Sequence, residues 1–471
     1  MAVSVIEQYP YFQQLPVGQE IIFVASNNNA VANQVKVKFC VDVHISSAYP
    51  PNLNTTTDLI GTFKTTPNDA GVGMFDLSNI AENYVKADNM CAAGASYKGV
   101  ITTSGKLKPM HLIDKYSTSD NAVRYMALRF YVEYLQGTAV EADPTTEVDS
   151  LDYSIINGYV KHDDVLTIQS GNFGYDLIDF FPTNSVTTRS YLTNAPTTQY
   201  ANSGDYGTLA FFAPTNSSAN EMNRIRIQYL DSAGAAIGGT TEDVIKSTAN
   251  GAYFGWNAKV EKQIVFFGCF PGNLENWSTN YATAVATGNL SHYTITAHNA
   301  VVGIGTQSIE TITIYVNCPD LRNYEPIRLC WLNQWGAWDY YTFTKKSIKN
   351  ISTQGTTYTQ LAGTWNSSRY TLDSYKGGKK SFRVNASEKI TMNTDFVSED
   401  NNIMFEELVN SPEVYLLEGY TTESTASALN QYVTPVRLTT SSFTRKTSAN
   451  DNLIQYTFEI EKSKTLRTQS I

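Results

Sequence analysis

Histidines and acidic side chains in this sequence seldom fall at spacings that would bring them together. The segment His162-Asp163-Asp164 offers one imidazole and two carboxylates. Adjacent side chains rarely converge on one ion, so an exposed turn is the favoured interpretation. His292 and His298 lie six residues apart, on one face of a predicted strand, without a third ligand in view. The spacing therefore predicts no metal site and no cofactor.

Catalytic motifs are equally scarce. The phosphate-binding loop, the zinc-protease motif, the serine-hydrolase elbow and the EF-hand loop do not occur in the sequence. Residues 302–305 (VGIG) form a bare GxG, which we interpret as a strand turn. Glu406 and Glu407 are adjacent on a predicted helix and are expected to point into solvent. The prediction is a protein without enzymatic activity, although a glycosidase carboxylate pair could come from any part of a β-fold.

The most unusual stretch is residues 331–343, with three Trp, two Tyr and one Phe among thirteen residues. Gly336 in the middle predicts a tight turn joining two strands. One hypothesis is an aromatic platform on which sugar rings stack. The other, which we favour, is a hairpin whose aromatic rings fill a core. The possible ligand or packing residues are Trp331, Trp335, Trp338, Tyr340 and Tyr341.

The composition narrows the class of partner. The chain has 471 residues and a net charge of −10, and only 17% of its residues are charged. An acidic balance argues against a nucleic-acid or anionic-membrane partner, which would need a basic face. The pairs Lys345-Lys346 and Lys379-Lys380 are predicted to be solvated strand ends. No apolar stretch of membrane-spanning length and no secretory leader are recognised.

Strand patterns dominate the chain. Residues 35–45 and 122–135 alternate apolar and polar side chains, which predicts strands with one buried face. Helical spacing occurs in residues 77–85, after a predicted N-cap at Asp76, and again in residues 403–409. The predicted fold class is all-β, with several β-sandwich or jelly-roll domains and one or two short helices.

Two polar stretches suggest domain boundaries. Residues 136–150 are acidic and poor in large apolar side chains, and we interpret them as a linker. A second boundary is predicted near residues 317–325. The predicted domains are residues 1–145, 146–319 and 320–471, the last containing the aromatic hairpin. The terminal segments 1–14 and 465–471 are expected to be short arms available to neighbouring subunits.

The cysteines are odd in number and include no CxxC pair: Cys40, Cys91, Cys269, Cys318 and Cys330. A disulfide framework or a zinc site would need tighter spacing. Cys40 and Cys269 lie within apolar strand runs and are predicted to be buried and free. We expect the chain to fold in a reducing cytosol.

Several blocks resemble virion structural proteins of tailed bacteriophages, as found in marine and gut phages of Bacteroidetes-like hosts. Residues 15–23 (LPVGQEIIF) and 58–67 (DLIGTFKTTP) resemble the N-terminal part of that family. Residues 328–343 (RLCWLNQWGAWDYYTF), with 445–447 (RKT) and 451–461 (DNLIQYTFEIE), are similar to its C-terminal part. These blocks are of a packing type and carry over no active-site residues.

The resemblance implies a structural protein of the virion, in a tail, baseplate or appendage. Its implied partners are other virion proteins and further copies of the same chain. Such a protein folds and assembles in the host cytoplasm and reaches the outside by lysis, which agrees with a β-rich, Tyr- and Thr-rich surface protein lacking a leader. The alternatives are a receptor- or carbohydrate-binding module of the same particle and, third, an enzyme that cleaves host polysaccharide.

Overall fold

The protein forms two compact units in the computed structural model. Unit 1 comprises Met1–Cys318 and Leu332–Asp339, and unit 2 comprises Pro319–Trp331 and Tyr340–Ile471. The structure describes residues 2–91, 109–161, 168–169, 172–173, 177, 180, 190–212, 224–245, 264–298, 305, 307–317, 324–366, 368–418, 432–447 and 454–467.

Unit 1 is built mainly from strands. In its described part these are β1 (Val5–Gln8), β2 (Gln14–Gly18), β3 (Ile22–Ser26), β4 (Lys38–Ser46), β5 (Leu59–Thr65), β6 (Val72–Asp76), β7 (Tyr116–Thr118), β8 (Val123–Gln136), β9 (Ala139–Asp149), β10 (Tyr153–Tyr159), β11 (Ile168–Gln169), β12 (Asn172–Phe173), β13 (Thr198–Asn202), β14 (Thr208–Phe212), β15 (Arg224–Leu230), β16 (Ala236–Ile245), β17 (Ile264–Gly268), β18 (His292–His298) and β19 (Gln307–Asn317). The helices are α1 (Asn28–Asn33), α2 (Ser78–Glu82), α3 (Pro271–Trp277) and α4 (Thr279–Ala286).

Two of the sheets in unit 1 form a sandwich. A three-stranded sheet of order β1-β3-β6 faces a sheet of order β2-β10-β8-β4-β5, in which β9 also pairs with β8. Their facing side chains make one buried core. Phe130 lies at its centre, with ring centroids 5.8 Å from Phe23 and 5.9 Å from Phe75. The strands predicted at residues 35–45 and 122–135 are confirmed as β4 and β8.

The remaining part of unit 1 contains a five-stranded sheet, β13-β19-β18-β15-β16, and a three-stranded sheet, β14-β17-β7. Every side chain of β14 and β17 is buried. The Tyr293 hydroxyl donates to the carbonyl of Cys269, 2.8 Å away, which links β18 to the segment after β17. The side-chain amide of Asn273 in α3 donates to the carbonyls of His111 and Ile113. Buried polar groups are thus satisfied by residues distant in sequence.

The domain prediction for the N-terminal two thirds differs from the structure. Residues 139–149, interpreted as linker, form β9, which pairs antiparallel with β8. The linker interpretation is wrong because β9 exposes most of its side chains, so a paired strand has the composition of a loop. Strand β7 also pairs with β17 across the predicted boundary. Residues 1–145 and 146–318 therefore belong to one compact unit.

Unit 2 is organised around one large sheet. Its strands are β20 (Ile327–Leu332), β21 (Trp338–Phe343), β22 (Ile348–Gln360), β23 (Gly363–Asn366), β24 (Arg369–Leu372), β25 (Gly378–Asn393), β26 (Val414–Leu417), β27 (Val433–Leu438), β28 (Thr457–Lys462) and β29 (Leu466–Arg467), with helix α5 (Asn401–Asn410). The sheet has eight strands in the order β21-β20-β26-β27-β28-β25-β22, with β29 also paired to β25. Phe405 of α5 packs on it, 5.4 Å from Phe458 and 5.0 Å from Tyr341 between ring centroids.

The predicted all-β class is confirmed, with multi-stranded sheets arranged as sandwiches. The described residues contain five short α-helices, more than the one or two expected. The helices predicted near residues 77–85 and 403–409 are α2 and α5. None of the helices in the described part of the chain has the length and apolar content that a bilayer crossing requires.

The terminal arms expected from the sequence are paired within the chain where the structure describes them. Strand β1 pairs with β3, β2 pairs with β10, and β29 pairs with β25. These residues are therefore parts of sheets and not free arms, although each of the three strands pairs on only one side among the described strands. That such segments bind neighbouring subunits stays a prediction. Residues 1 and 468–471 lie outside the described part.

The described cysteines are Cys40, Cys91, Cys269 and Cys330, and all of them are buried and free. The prediction of buried free thiols is confirmed for Cys40 and Cys269. Burial raises the pKa of Cys40 to about 12, so this thiol stays protonated at neutral pH. Cys318 lies outside the described residues.

The buried carboxylate of Asp88 holds the loop that leads into β8 through hydrogen bonds to its backbone. This carboxylate accepts hydrogen bonds from the backbone N–H groups of Asp120 (3.0 Å), Asn121 (2.8 Å) and Ala122 (3.0 Å). Burial raises the pKa of Asp88 above its ordinary value, and these donors oppose that shift. A fully buried carboxylate with three backbone donors is a structural anchor.

We expect Asp88→Ala to lower the free energy of unfolding by about 3 kcal/mol, because three backbone donors lose their acceptor. Urea unfolding followed by circular dichroism measures the change. Asp120→Ala is the matched control, since Asp120 lies on the same loop with an exposed side chain and should cost less than about 0.5 kcal/mol. Equal effects of the two variants would contradict the anchor role.

Candidate interaction surface

The aromatic hairpin has the turn that the sequence predicts. Strands β20 and β21 are joined at Gly336, whose φ is +75°. A Cβ atom on Gly336 would lie 2.3 Å from the carbonyl oxygen of Asn157, so only glycine fits there. Asn333 closes the turn by accepting from the backbone N–H groups of Trp335 (3.1 Å) and Ala337 (3.0 Å). The turn residues Leu332–Asp339 belong to unit 1.

The hairpin aromatics are packed inside the protein. Trp331, Trp335, Trp338 and Tyr340 are buried, and Tyr341 is partly buried. The indole N–H of Trp338 donates to the carbonyl of Asp88, 3.0 Å away, and its ring meets His111 edge-on at 4.9 Å. Trp331, Trp335, Trp338 and Tyr340 therefore offer no open ring face on which a sugar could stack. The ring of Tyr341 packs edge-on against Phe343 and Phe405.

The histidines and acidic residues considered from the sequence are not brought together. His292 stacks on Tyr315 with ring centroids 4.7 Å apart, and the Nε2 atom of His298 lies 2.9 Å from the Thr296 hydroxyl. Opposite ends of a seven-residue strand are about 20 Å apart. Among the described residues no group of His, Cys, Asp and Glu could hold a metal ion. The segments 162–164 and 302–304 lie outside the described residues.

Glu406 and Glu407 point in different directions, as expected, but only one of them meets solvent. Glu406 pairs with Arg445, whose Nε lies 2.6 Å from its carboxylate. Glu407 is buried, so the expectation of solvent exposure is wrong for this residue. The reason is that Glu407 lies on the face of α5 that also buries Met404 and Leu408.

A groove of about 540 Å³ in unit 1 is lined mainly by apolar side chains of α4, including Tyr281, Ala282 and Val285. Glu275 is the one carboxylate among its lining residues. Glycoside hydrolysis needs two carboxyl groups that face each other across the bond. The lining of this groove does not supply that pair.

The most distinctive surface in unit 2 is a long hairpin, residues 348–393, which we call the β-arm. Its two strands, β22 and β25, pair from Ile348↔Thr391 to Gln360↔Gly378, with one shift of register between Thr356 and Thr357. Strand β25 joins the large sheet through Lys389–Asn393 with β28 and through Asn385 and Ala386 with β29. Residues 355–360 and 378–384 pair only with each other and extend about 20 Å beyond the sheet.

Strand β22 is at the edge of the eight-stranded sheet and pairs, among the described strands, only with β25. Its side chains are exposed along almost its whole length. An edge strand leaves backbone N–H and C=O groups on its outer side that can bind another chain. The β-arm therefore offers thirteen residues of strand edge.

The end of the β-arm, residues 361–377, is folded rather than loose, and we call it the arm tip. Strands β23 and β24 form a second small hairpin with Trp365 opposite Tyr370. The backbone N–H of Asp373 donates to the carbonyl of Ala362, 2.9 Å away. The Asp373 carboxylate accepts from the Thr364 hydroxyl at 2.7 Å and pairs with Lys376 at 3.0 Å. These bonds hold the aromatic rings of the tip on a defined surface.

Large apolar side chains of the β-arm face solvent. They are Ile348, Ile351, Leu361, Trp365, Tyr370, Leu372, Tyr375 and Phe382. Trp365 is 68% exposed and Tyr375 is 72% exposed, whereas Trp338 of the aromatic hairpin is 2% exposed. Exposed aromatic and aliphatic side chains concentrated on one element mark an interaction site.

The β-arm also carries a charge opposite to that of the chain. It contains seven basic and two acidic residues, a net charge of +5, so the rest of the chain carries −15 of the total of −10. Within the described part of the chain, no carboxylate lies within ion-pair distance of Arg369, Lys379, Lys380 or Arg383. The predicted absence of a nucleic-acid partner rested on the chain average, which the β-arm does not share.

Sequence reasoning missed this surface because residues 348–360 show no alternation of apolar and polar side chains. Thr, Ser, Asn and Gln fill both faces of β22. The signal available was the combination of Trp365, Tyr370 and Tyr375 with seven basic residues and only two acidic ones in residues 348–393. The pair Lys379-Lys380 was predicted as a solvated strand end, and it does begin β25.

Comparisons with known proteins add little to this picture. No protein-family model and no curated protein matches the sequence. One solved structure aligned to the chain is the native conformation of E. coli alpha-2-macroglobulin, with 9% identity and a TM-score of 0.17. The alignment covers 82% of this chain and 22% of that one, so this chain spans under a quarter of that protein. A likeness at this level supports no conclusion about the fold or its role.

The two tryptophan environments predict different mutational effects. Trp338→Ala should cost about 3–5 kcal/mol of unfolding free energy, because a buried indole and its hydrogen bond to Asp88 are lost. Trp365→Ala should stay within about 0.5 kcal/mol, because that ring is exposed. Urea unfolding of both variants provides the comparison. A well-folded, stable Trp338→Ala protein would contradict the packing role of the hairpin.

Proposed function

We propose that this chain is a non-catalytic structural protein of a tailed bacteriophage particle. In this proposal it is a tail, baseplate or appendage component that assembles with copies of itself and with neighbouring virion proteins. The observation that carries the assembly role is the β-arm, which combines a free strand edge, exposed apolar side chains and unpaired positive charges. The resemblance of residues 15–23, 58–67 and 328–343 to virion proteins supports the location.

Burial of the hairpin aromatics also supports a structural role. The possible ligand residues Trp331, Trp335 and Trp338 are buried. The exposed apolar and basic side chains of unit 2 instead lie on a strand pair that ends in a second small hairpin. Contacts made by such an element depend on backbone edges and on side-chain pockets of a partner, as in strand addition between protein chains.

A phage particle purified by density gradient should contain this protein. Mass spectrometry of such particles is expected to detect the chain in many copies, and an antibody to it should label intact virions. A control preparation treated identically from uninfected host cells should contain none. The location proposal fails if the protein remains in the soluble lysate while infectious particles lack it.

The second candidate function is a glycan- or receptor-binding module of the same particle. The observation that favours it is the arm tip, where Trp365, Tyr370 and Tyr375 are exposed beside Arg369 and Lys376. Aromatic faces stack on the apolar faces of sugars, and cations attract acidic ones. A tip organised by the Asp373 hydrogen bonds could present such rings with little loss of entropy on binding.

Under the structural proposal the purified protein should neither cleave nor tightly bind host surface polysaccharide. Chromatography of reaction products tests cleavage, and calorimetry with Trp365→Ala beside the wild type tests binding. Phe396→Ala is the matched control, since Phe396 is exposed in unit 2 outside the β-arm. Binding lost in Trp365→Ala and kept in Phe396→Ala would favour the glycan-binding function. Cleavage abolished by one Asp→Asn or Glu→Gln change would favour an enzyme.

A further inference from the structure

The β-arm carries three features that suit a protein partner more than a small ligand. Strand β22 has an unpaired edge, and the side chains of Leu361 and Leu372 are both 77% exposed. Beside them are the four cations that lack a carboxylate within the described part of the chain: Arg369, Lys379, Lys380 and Arg383. Exposed aliphatic side chains bind poorly to sugars and well to apolar protein surface. Positive charge on the β-arm calls for an acidic partner.

The chain itself contains an acidic strand of matching character. Strand β9 in unit 1 carries four acidic residues and no basic ones: Glu141, Asp143, Glu147 and Asp149. Its side chains are mostly exposed, and among them Val140 is a large apolar residue in solvent. Glu141 makes no ion pair within the described residues, whereas Arg129 pairs with Asp149 at 2.7 Å and lies 3.7 Å from Glu147. Strand β9 therefore presents negative charge that Arg129 neutralises only in part.

Charge decides which surface of a second copy the β-arm prefers. Two β-arms joined edge to edge would place a net charge of +5 on one copy against a net charge of +5 on the other. Like charges placed opposite each other at an interface cost several kcal/mol. A β-arm placed against β9 brings cations that have no carboxylate partner to Glu141, which has no cation partner among the described residues, and to Glu147, which shares Arg129 with Asp149. The apolar Leu361 and Leu372 can cover Val140. The arrangement of β-arm against β9 therefore avoids repulsion between like charges and also buries apolar surface.

We propose that the β-arm of one copy binds strand β9 of a second copy. Side chains make most of this contact, because Pro144 has no backbone N–H and the carbonyl of Thr146 already accepts from Ser4 at 2.9 Å. The charges that carry it are those of Lys379 and Lys380, which lie on the two faces of the β-arm, and those of Glu141 and Glu147 of the neighbouring copy. The aliphatic side chains of the arm tip add apolar contact.

An interface between two different surfaces of one chain is heterologous. Each copy then offers one β-arm and one β9, so copies add head to tail until they close a ring or continue as a helical array. This inference rests on the proposed assembly role and specifies its contact. The two fail separately, since self-association is measured on the purified protein and location is measured on particles.

The test is self-association of the full chain, measured by sedimentation velocity at about 0.1 M salt, where the screening length is about 10 Å. The wild type should form oligomers whose size falls as salt rises. Reversing the arm charges with Lys379→Glu and Lys380→Glu should weaken association at least about tenfold. Reversing the β9 charges with Glu141→Lys and Glu147→Lys should weaken it similarly. Melting curves check that each variant remains folded.

The matched control for the arm reversal is Lys86→Glu with Lys464→Glu, which makes the same change in net charge as that reversal at exposed positions outside both surfaces. That variant should associate as the wild type does. Combining the arm and β9 reversals in one chain should restore association, because opposite charges again meet across the interface. This rescue separates direct pairing from a general effect of net charge.

Three results would overturn the inference. The first is a wild type that stays monomeric at all concentrations, and the second is undiminished association of both reversed variants. The third is a combined variant that associates no better than the single reversals. If the arm reversal leaves oligomers intact but abolishes binding to heparin, used as an acidic-polysaccharide probe, the β-arm is a glycan site. That outcome also overturns the inference.

Discussion

The hydrogen bonds that hold the turn of the aromatic hairpin determine which aromatic side chains of this protein are buried. The amide of Asn333 donates to the carbonyl of Leu192 at 2.8 Å, and the carbonyl of Gln334 accepts from the backbone N–H of Tyr159 at 2.9 Å. With the bond from Trp338 to Asp88, these contacts hold the turn of the aromatic hairpin inside unit 1. Because the turn is anchored at three places, its aromatic rings are packed in the core and are not accessible to a ligand.

The aromatic side chains therefore fall into two groups, the buried rings of the hairpin turn and the exposed rings of the arm tip. Those of the hairpin turn gain stability from burial. The indole N–H of Trp338 also has a hydrogen-bond acceptor, whereas that of Trp335 has none among the described residues. The rings of the arm tip stay in water, where apolar surface is unfavourable unless something covers it. A folded tip that keeps Trp365 and Tyr375 exposed makes sense when a partner completes the burial. This contrast motivates the assembly role.

The charged side chains are also distributed unevenly between the β-arm and the rest of the chain. A chain with a net charge of −10 looks uniformly acidic, yet its β-arm is basic and its strand β9 is acidic without any basic residue. In the proposed contact, separated charges of opposite sign would steer copies toward each other and disfavour edge-to-edge pairing of identical arms. Such surfaces favour a head-to-tail contact, which supports the proposal of a repeating particle component.

The local pattern of apolar, polar and turn residues was sufficient to predict a large part of the secondary structure. Alternation located β4 and β8, helical spacing located α2 and α5, and Gly336 located the hairpin turn. The all-β class and the buried free cysteines could also be predicted. Each of these depends on neighbouring residues along the chain, because strand and helix periods are properties of a short segment. The linker prediction for residues 139–149 was wrong because an exposed strand lacks that periodic signal.

Tertiary structure decided which of these segments meet solvent. Trp338 lies in a strand of the aromatic-rich stretch for which a core role was predicted, and Trp365 lies in a strand among polar residues. Neither local sequence shows which distant residues cover the ring. Trp338 is buried because Asp88, 250 positions away, comes within hydrogen-bond distance, whereas the rest of unit 2 leaves Trp365 uncovered. Burial depends on what distant residues place over a side chain. The sequence by itself therefore determined the strands, and only the packing determined the interaction surface.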